Sequence, residues 1–388
     1  MLSKMPNFLK KKKKKKYSGL ITNTEEKKLL KDINLIKIEN ISEPNTKLLD
    51  YISLAKIIAS YSVVILHTNG AFWYFNYKTY KEFWISANII ESTFYFAVPF
   101  FALCIGVTLL DFNEKYGIIK YCYKRIIKVV IPLILWTYIV YFYKVYYIKN
   151  MKKVKLTFEN LWNMYYQHRV IGIYQSFHSF IKLYMIIPFL AYIEKSNKIK
   201  IYTYGLILLL LFQTIFPYLI ALFHLNLRWI YNIQYTYSHY LFAGYLIHNK
   251  KFSRAKRFIL YILGISSLFL TIFATKYLTL KYKKIITLHK GYLNLPCILY
   301  SCALFLFIKE NTYILLKYIN KKYINYIGSL TIGPFFMHYP VIDFYSKNYS
   351  VNKYRLKYRL FDGSIIYIIC LILTAFLKKI PILKYLVP

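Results

Sequence analysis

A lysine and a histidine on one apolar stretch are the residues of this sequence best placed to do chemistry. The stretch runs from Tyr51 to Trp73 and reads YISLAKIIASYSVVILHTNGAFW. At about 100° per residue in an α-helix, Ser53, Lys56 and Ser60 all fall within roughly 40° of His67. Lys56 and His67 are then about 16 Å apart along the axis. A cation and a general base on one line suit a long anionic ligand whose reactive end must reach the base.

A polar residue inside an apolar span is costly and is by default a candidate for function. A structural alternative stays open, in which Lys56 extends its ammonium to the membrane surface and His67 bonds a neighbouring helix. The shared polar stripe favours the functional interpretation.

A second candidate segment, YIGSLTIGPFFMHYP, covers residues 326–340. It carries His338, with Thr331 about two turns earlier on the same face. Its Gly333–Pro334 pair predicts an opened helix, because proline lacks the N–H that the preceding turn needs. An opened helix exposes carbonyl groups to a cavity, so both side chains are candidate substrate ligands. The alternative is a proline kink with an interfacial histidine.

Three more charged residues are candidates. Glu91 is the most isolated acid within an apolar block, and a partnership with Lys56, Lys182 or a histidine is open, as is a position near the membrane surface. Arg125 and Lys128 share one face where the third block begins, and they could hold phosphate or be ordinary cytoplasmic-side cations. No zinc signature, nucleotide loop or GxSxG motif occurs, so we expect no metal and no tightly bound cofactor.

The elements that position these residues are predicted to be membrane-spanning helices. Of the 388 residues, 57% are apolar and only 18% are charged, so the chain is more apolar and less charged than a typical soluble domain. At about 20 residues per crossing, the apolar blocks predict an all-α, polytopic transmembrane bundle of about ten proline-kinked spans. The blocks are residues 51–68, 85–110, 126–148, 171–193, 201–223, 233–248, 257–275, 291–308, 325–345 and 364–386.

The net charge of +39 first suggests a nucleic-acid partner, but its distribution argues against a specific one. Residues 1–47 hold 13 lysines and five acidic residues, and most of the remaining charge falls between apolar blocks. We therefore predict a lysine-rich tail over residues 1–47, partly disordered or lying on membrane lipids, and a transmembrane domain over residues 48–388. The lysines of the tail place the N-terminus in the cytoplasm.

Several segments, taken in order, resemble motifs of the acyltransferase 3 family. Lys56, ten residues and then His67 resemble the family's first-span pattern of Asp-x-x-Arg, ten residues and His. Further similar segments are PFFALCIGVTLLDF (99–112), KRIIKVVIP (124–132), SHYLFAGYLI (238–247) and GSLTIGPFFMHYPVI (328–342). The resemblance covers roughly residues 48–345.

This chain departs from the family pattern at several positions. Ser53 replaces the acid and Lys56 the arginine, which keeps the charge but loses the bidentate phosphate geometry. Ile105 stands where the family usually has serine, and His178 retains only part of a family segment. The departures indicate a diverged subgroup, with an inactive relative as the alternative.

The resemblance implies a bacterial cytoplasmic-membrane enzyme that moves an acetyl group from acetyl-coenzyme A to a hydroxyl of an envelope glycan or lipid-linked glycan. His67 would be the general base and Lys56 a phosphate ligand, assisted by Arg125 and Lys128. Ser53, Glu91, Thr331 and His338 would line the substrate cavity. The main alternative is a non-enzymatic carrier for an anionic or lipid-linked solute. An unrelated membrane O-acyltransferase with an intramembrane histidine is disfavoured, because the candidate histidine lies in the first span.

Overall fold

The protein is a bundle of helices, as the apolar blocks predict. The computed structural model describes residues 50–76, 81–149, 157, 159–160, 162–163, 170, 172–224, 237–349 and 351–388. Within these residues there is no β-strand, which confirms the all-α prediction. The α-helices are α1 Asp50–Thr68, α2 Lys81–Phe94, α3 Ala97–Leu109, α4 Ile118–Arg125, α5 Ile131–Phe142, α6 Gln175–Ala191, α7 Lys195–Leu209, α8 Phe216–Phe223, α9 Ser238–Asn249, α10 Arg254–Tyr282, α11 Leu295–Leu315, α12 Lys321–Leu330, α13 Ile332–Asn348 and α14 Gly363–Lys379.

Seven helical segments in the described part of the chain are long and apolar enough to cross a bilayer. They are Asp50–Thr68, Phe83–Glu114, Ile118–Ile148, Lys195–Phe223, Arg254–Tyr282, Leu295–Leu315 and Tyr358–Lys379. The predicted count of about ten is not confirmed. The other three blocks coincide with the shorter α6 and α9 and with the interrupted pair α12 and α13. A 12-residue helix such as α9 covers only about 18 Å of a hydrocarbon core about 30 Å thick.

Helix α1 lies inside the bundle and holds the candidate stripe in place. It packs against α3, α11, α12, α13 and α14, and most of its side chains are buried. The predicted tail, residues 1–47, lies outside the described residues, and its separation from the membrane domain stays a prediction.

Two glycines allow α3 and α9 to touch backbone to backbone. A Cβ atom added at Gly106 would lie 2.0 Å from the carbonyl oxygen of Leu241, and one at Gly244 would lie 2.2 Å from that of Leu103. Small residues at such crossings let membrane helices approach closely enough for backbone packing. The contact explains why two of the family-like segments, residues 99–112 and 238–247, each carry a glycine at this level.

A proline in α13 leaves a backbone carbonyl that a tyrosine then satisfies. Pro340 has no N–H, so the carbonyl of Phe336 loses its helical donor. The hydroxyl of Tyr174 donates to that carbonyl at 2.7 Å, and the bond is buried. A carbonyl in an apolar interior is costly when left unpaired, so this tyrosine stabilises the interrupted helix and ties it to the start of α6.

Candidate active site

Lys56 and His67 are carried by one uninterrupted helix. Because α1 is helical from Asp50 to Thr68, the two residues are separated by eleven residues of regular helix, or about 16 Å along the axis. Lys56 is half-buried, and His67 is the only side chain of α1 that is exposed. The helix therefore holds a cation and a reachable imidazole at a set distance.

The fold brings the two candidate histidines together. The ring centroids of His67 in α1 and His338 in α13 are 4.8 Å apart, with an angle of 31° between the rings. His338 has no exposed surface, in contrast to its partner. Sequence spacing could not predict this pairing, since 271 positions separate the two residues.

The hydrogen bonding of His338 identifies its tautomer. Its Nδ1 lies 2.8 Å from the carbonyl oxygen of Pro334, and a carbonyl can only accept, so Nδ1–H is the donor. In a neutral imidazole the other nitrogen then carries a lone pair. This nitrogen, Nε2, is buried and has no hydrogen-bond partner among the described residues. The pair thus combines an exposed imidazole with a buried one whose free nitrogen is ready to accept a proton or a hydrogen bond.

The break between α12 and α13 sets the position of His338. Pro334 cannot donate to the carbonyl of Leu330, and the helix is interrupted at Thr331, between the two segments. Thr331 is buried, and its hydroxyl donates to the carbonyl of Gly328 at 2.9 Å. The interruption predicted from Gly333–Pro334 is therefore present about two turns before the histidine, although the described contact of Thr331 is with the backbone of its own helical segment.

No described residue pairs with the ammonium of Lys56. None of the hydrogen bonds or ion pairs of the described chain involves it, and it interacts electrostatically with the buried thiol of Cys104 in α3. A cation within an apolar membrane helix is expensive to keep without a partner. Lys56 is therefore available to an anionic ligand, as the stripe predicts.

The two serines of the stripe make contacts with the C-terminal helices. Ser53 is buried where α1 meets α12, and a Cβ atom added at Gly328 would lie 2.8 Å from its Cβ. The hydroxyl of Ser60 lies 2.8 Å from that of Tyr367 in α14. Ser53 and Ser60 thus lie where α1 packs against α12 and α14. The predicted substrate role of Ser53 stays a prediction.

Glu91 lies near the His67 end of α1 and is buried. Its Oε2 accepts a hydrogen bond of 3.1 Å from Nδ2 of Asn69, two residues after His67. It also interacts with Lys290, which belongs to the loop before α11. Burial lowers the pKa of Lys290 below its ordinary value, and the carboxylate of Glu91 opposes that shift. The partners considered from the sequence were Lys56, Lys182 or a histidine. The structure places Asn69 and Lys290 beside Glu91 instead.

Arg125 and Lys128 contact other elements than α1. The guanidinium of Arg125 lies over the rings of Tyr121 and Tyr184, 5.6 Å and 5.4 Å from their centroids. The hydroxyl of Tyr121 donates to the carbonyl of Tyr184, which Pro188 leaves without a helical donor. Lys128 is exposed. Their roles as phosphate ligands stay predictions: Arg125 lies beside Tyr184 of α6, and Lys128 interacts electrostatically with Lys378 of α14.

A buried arginine near the His67 end is absent from the sequence-based candidates. Arg359 is 1% exposed, and its carbonyl accepts a hydrogen bond of 2.9 Å from Thr68, the neighbour of His67 in the sequence. The segment KYRLKYRLFD looks like an ordinary basic loop before the last span, so no local signal distinguishes Arg359 from its neighbours. Within the described residues, no cluster of His, Cys, Asp or Glu side chains could hold a metal ion.

A comparison with known protein families supports the resemblance drawn from the ordered motifs. A family model described as an acyltransferase domain, that of the acyltransferase 3 family, matches residues 49–382. No curated protein and no solved structure matches the chain. The match covers most of the chain, including α1 and α13, and it confirms the resemblance drawn from the ordered motifs. This multi-pass membrane protein therefore belongs to the acyltransferase 3 family.

Proposed function

We propose that the protein transfers an acetyl group from acetyl-coenzyme A to a hydroxyl of a cell-envelope glycan or lipid-linked glycan. The observation that carries the proposal is the pair formed by the exposed His67 and the buried His338. Family membership supports acyl transfer in general, without specifying the donor or the acceptor. The donor and the acceptor are proposed from the chemistry of the candidate residues. We place the enzyme in a bacterial cytoplasmic membrane with its N-terminus in the cytoplasm.

In the proposed reaction, His67 removes the proton from the acceptor hydroxyl. The acceptor oxygen forms a bond to the thioester carbonyl carbon, the carbon–sulfur bond breaks, and the coenzyme A thiolate leaves and takes up the proton that His67 had removed. The imidazolium formed at His67 is stabilised by the free Nε2 of His338, whose Nδ1–H is held by Pro334. His338 is thus a positioning residue for the base.

The donor is proposed to lie along α1. Its phosphates would be neutralised by Lys56, and its thioester would reach the histidine pair about 16 Å further along the helix. Arg125 and Lys128 are proposed as additional phosphate ligands, and Ser53, Glu91 and Thr331 as lining residues. The absence of a described counterion for Lys56 supports its assignment to an anionic donor.

The test is mass spectrometry of purified envelope glycan from a strain that lacks the native gene and carries either the wild-type or a variant copy. Wild type should add acetyl groups, and His67→Ala should lower the transfer rate about 10²–10⁴-fold, the usual contribution of a general base. His338→Ala should lower it as well, and Lys56→Ala should raise KM for acetyl-coenzyme A.

His224→Asn is the matched control. His224 is exposed and has a φ of 53°, a conformation that asparagine also tolerates. Unchanged acetylation in His67→Ala would overturn the catalytic assignment. Solute flux through the wild-type protein without any acylation would overturn the enzyme in favour of the carrier.

A further inference from the structure

Arg359 is a fully buried cation at the His67 end of α1. It stands at the start of the last span, and its backbone is joined to α1 by the hydrogen bond from Thr68. An arginine this deeply buried is normally paired with a carboxylate, because the desolvation of its charge is otherwise uncompensated. The partners of its guanidinium therefore need an explanation.

Every described hydrogen-bond partner of this guanidinium is neutral. Nη2 donates to the hydroxyl of Ser86 at 2.7 Å. Nη1 has two contacts, both at the long distance of 3.4 Å, with Oδ1 of Asn69 and the carbonyl of Phe83. Nε is buried and has no hydrogen-bond partner among the described residues. The group thus retains N–H donors that an anion could use.

Glu91, the acid linked to Arg359 through Asn69, already interacts with another cation. Glu91 reaches Arg359 only through Asn69, whose amide bridges the two. Glu91 also interacts electrostatically with the buried Lys290, so its carboxylate is shared with a second cation. Asp362, three residues after Arg359, makes its electrostatic contacts with tyrosines. Among the described residues, Arg359 therefore has no counterion of its own.

From these contacts we infer that Arg359, supported by Ser86 and Asn69, binds an anionic group of the acceptor, a phosphate or a carboxylate, at the His67 end of α1. The inference rests on the proposed function and specifies its acceptor as an anionic one. Guanidinium is well suited to either oxyanion, since its planar N–H groups match their geometry. The donor phosphates at Lys56 and the acceptor anion at Arg359 would then bind toward opposite ends of α1.

The first experiment measures ligand binding and needs no enzymatic activity. Thermal unfolding of the full-length protein in detergent is followed with geranyl phosphate as a phosphate probe and glucuronate as a carboxylate probe, with geraniol and glucose as their neutral counterparts. At least one anion should raise the melting temperature of the wild-type protein when its neutral counterpart does not. The probe that raises the melting temperature shows whether the site binds a phosphate or a carboxylate.

The variants test whether Arg359 is responsible. Arg359→Lys, which keeps the charge, should weaken the apparent affinity for that anion at least tenfold. Arg355→Gln is the matched control, because Arg355 is exposed four residues earlier in the same segment, and it should bind the anion as wild type does. If Arg359→Lys does not fold, Ser86→Ala, which removes the 2.7 Å partner of Nη2, should weaken binding about threefold.

Equal stabilisation by the anion and its neutral counterpart, or equal binding by Arg359→Lys and Arg355→Gln, would overturn the inference. In a transfer assay, Arg359→Lys should raise KM for an anionic acceptor at least tenfold while kcat stays within twofold and KM for a neutral acceptor is unchanged. A wild-type protein that binds the anion but acetylates no acceptor would overturn the proposed function and leave the anion site standing.

Discussion

The backbone contact between α3 and α9 makes a quantitative prediction about two glycines. In Gly106→Ala the new Cβ would lie 2.0 Å from the carbonyl oxygen of Leu241, whereas ordinary contacts begin at 3.4 Å. The helices must therefore separate locally by about 1.4 Å, since no side-chain rotation can relieve a clash with backbone. Overpacking of this kind costs about 3 kcal/mol. The gain in helix propensity of alanine over glycine offsets about 1 kcal/mol.

The expected net loss in Gly106→Ala is therefore about 2 kcal/mol. At about 2.1 cal/mol/K of unfolding entropy per residue, the melting temperature of a chain of 388 residues shifts by about 1.2 °C per kcal/mol. The melting temperature of the purified protein in detergent should therefore fall by about 2–3 °C. Gly205→Ala is the control, because it makes the same exchange within α7 but places its Cβ 2.9 Å from the ring of Phe242, which can rotate away. Its melting temperature should stay within about 1 °C of wild type.

A double mutant tests whether the clash is shared. The Cβ atoms of Gly106→Ala and Gly244→Ala would each meet a carbonyl of the opposite helix at one crossing, so the separation forced by the first makes room for the second. The combined loss should fall short of the sum of the single losses by about 1 kcal/mol. A Gly106→Ala protein as stable as Gly205→Ala, or strictly additive losses, would refute the argument that backbone contact holds these helices together.

For two further perturbations the direction of the change in protein stability can be predicted. Tyr174→Phe should destabilise the protein by about 1–3 kcal/mol, because it removes the donor that satisfies the buried carbonyl of Phe336. Adding Pro340→Ala, which restores a helical N–H to that carbonyl, should recover part of the loss in the melting temperature. No recovery would contradict this account. Burial holds the pKa of Lys290 in the folded protein below its ordinary value of 10.5. At pH values between the lowered pKa and 10.5, the unfolded chain therefore binds more protons than the folded one, and the free energy of unfolding should rise with pH. Lys290→Met should flatten that rise in unfolding midpoints measured from pH 7 to pH 10, and an unchanged slope would contradict the assignment.

Helical periodicity explains how far the candidate site could be predicted. A single helix carries Lys56 and His67, so their spacing along the axis follows directly from local geometry. The opened helix before His338 was predictable for the same reason, because Pro334 removes a backbone donor wherever it stands. By contrast, the partner of Glu91 depends on which loop folds over α2, and no pattern within α2 contains that information. The predicted count of about ten spans is not confirmed, because α6 and α9 are apolar but shorter than the seven helical segments long enough to cross a bilayer.

By itself, the sequence determined that this is an all-α membrane protein, that its first span has one polar face, and that its ordered motifs match the acyltransferase 3 family. Each of these properties depends on hydrophobicity or on residues a few turns apart. Only the tertiary structure decided that His67 meets His338 and that Arg359 lies buried at the same end of α1. Those contacts join α1 to α13 and to the segment before α14, and their geometry is set by how the helices pack rather than by any local preference.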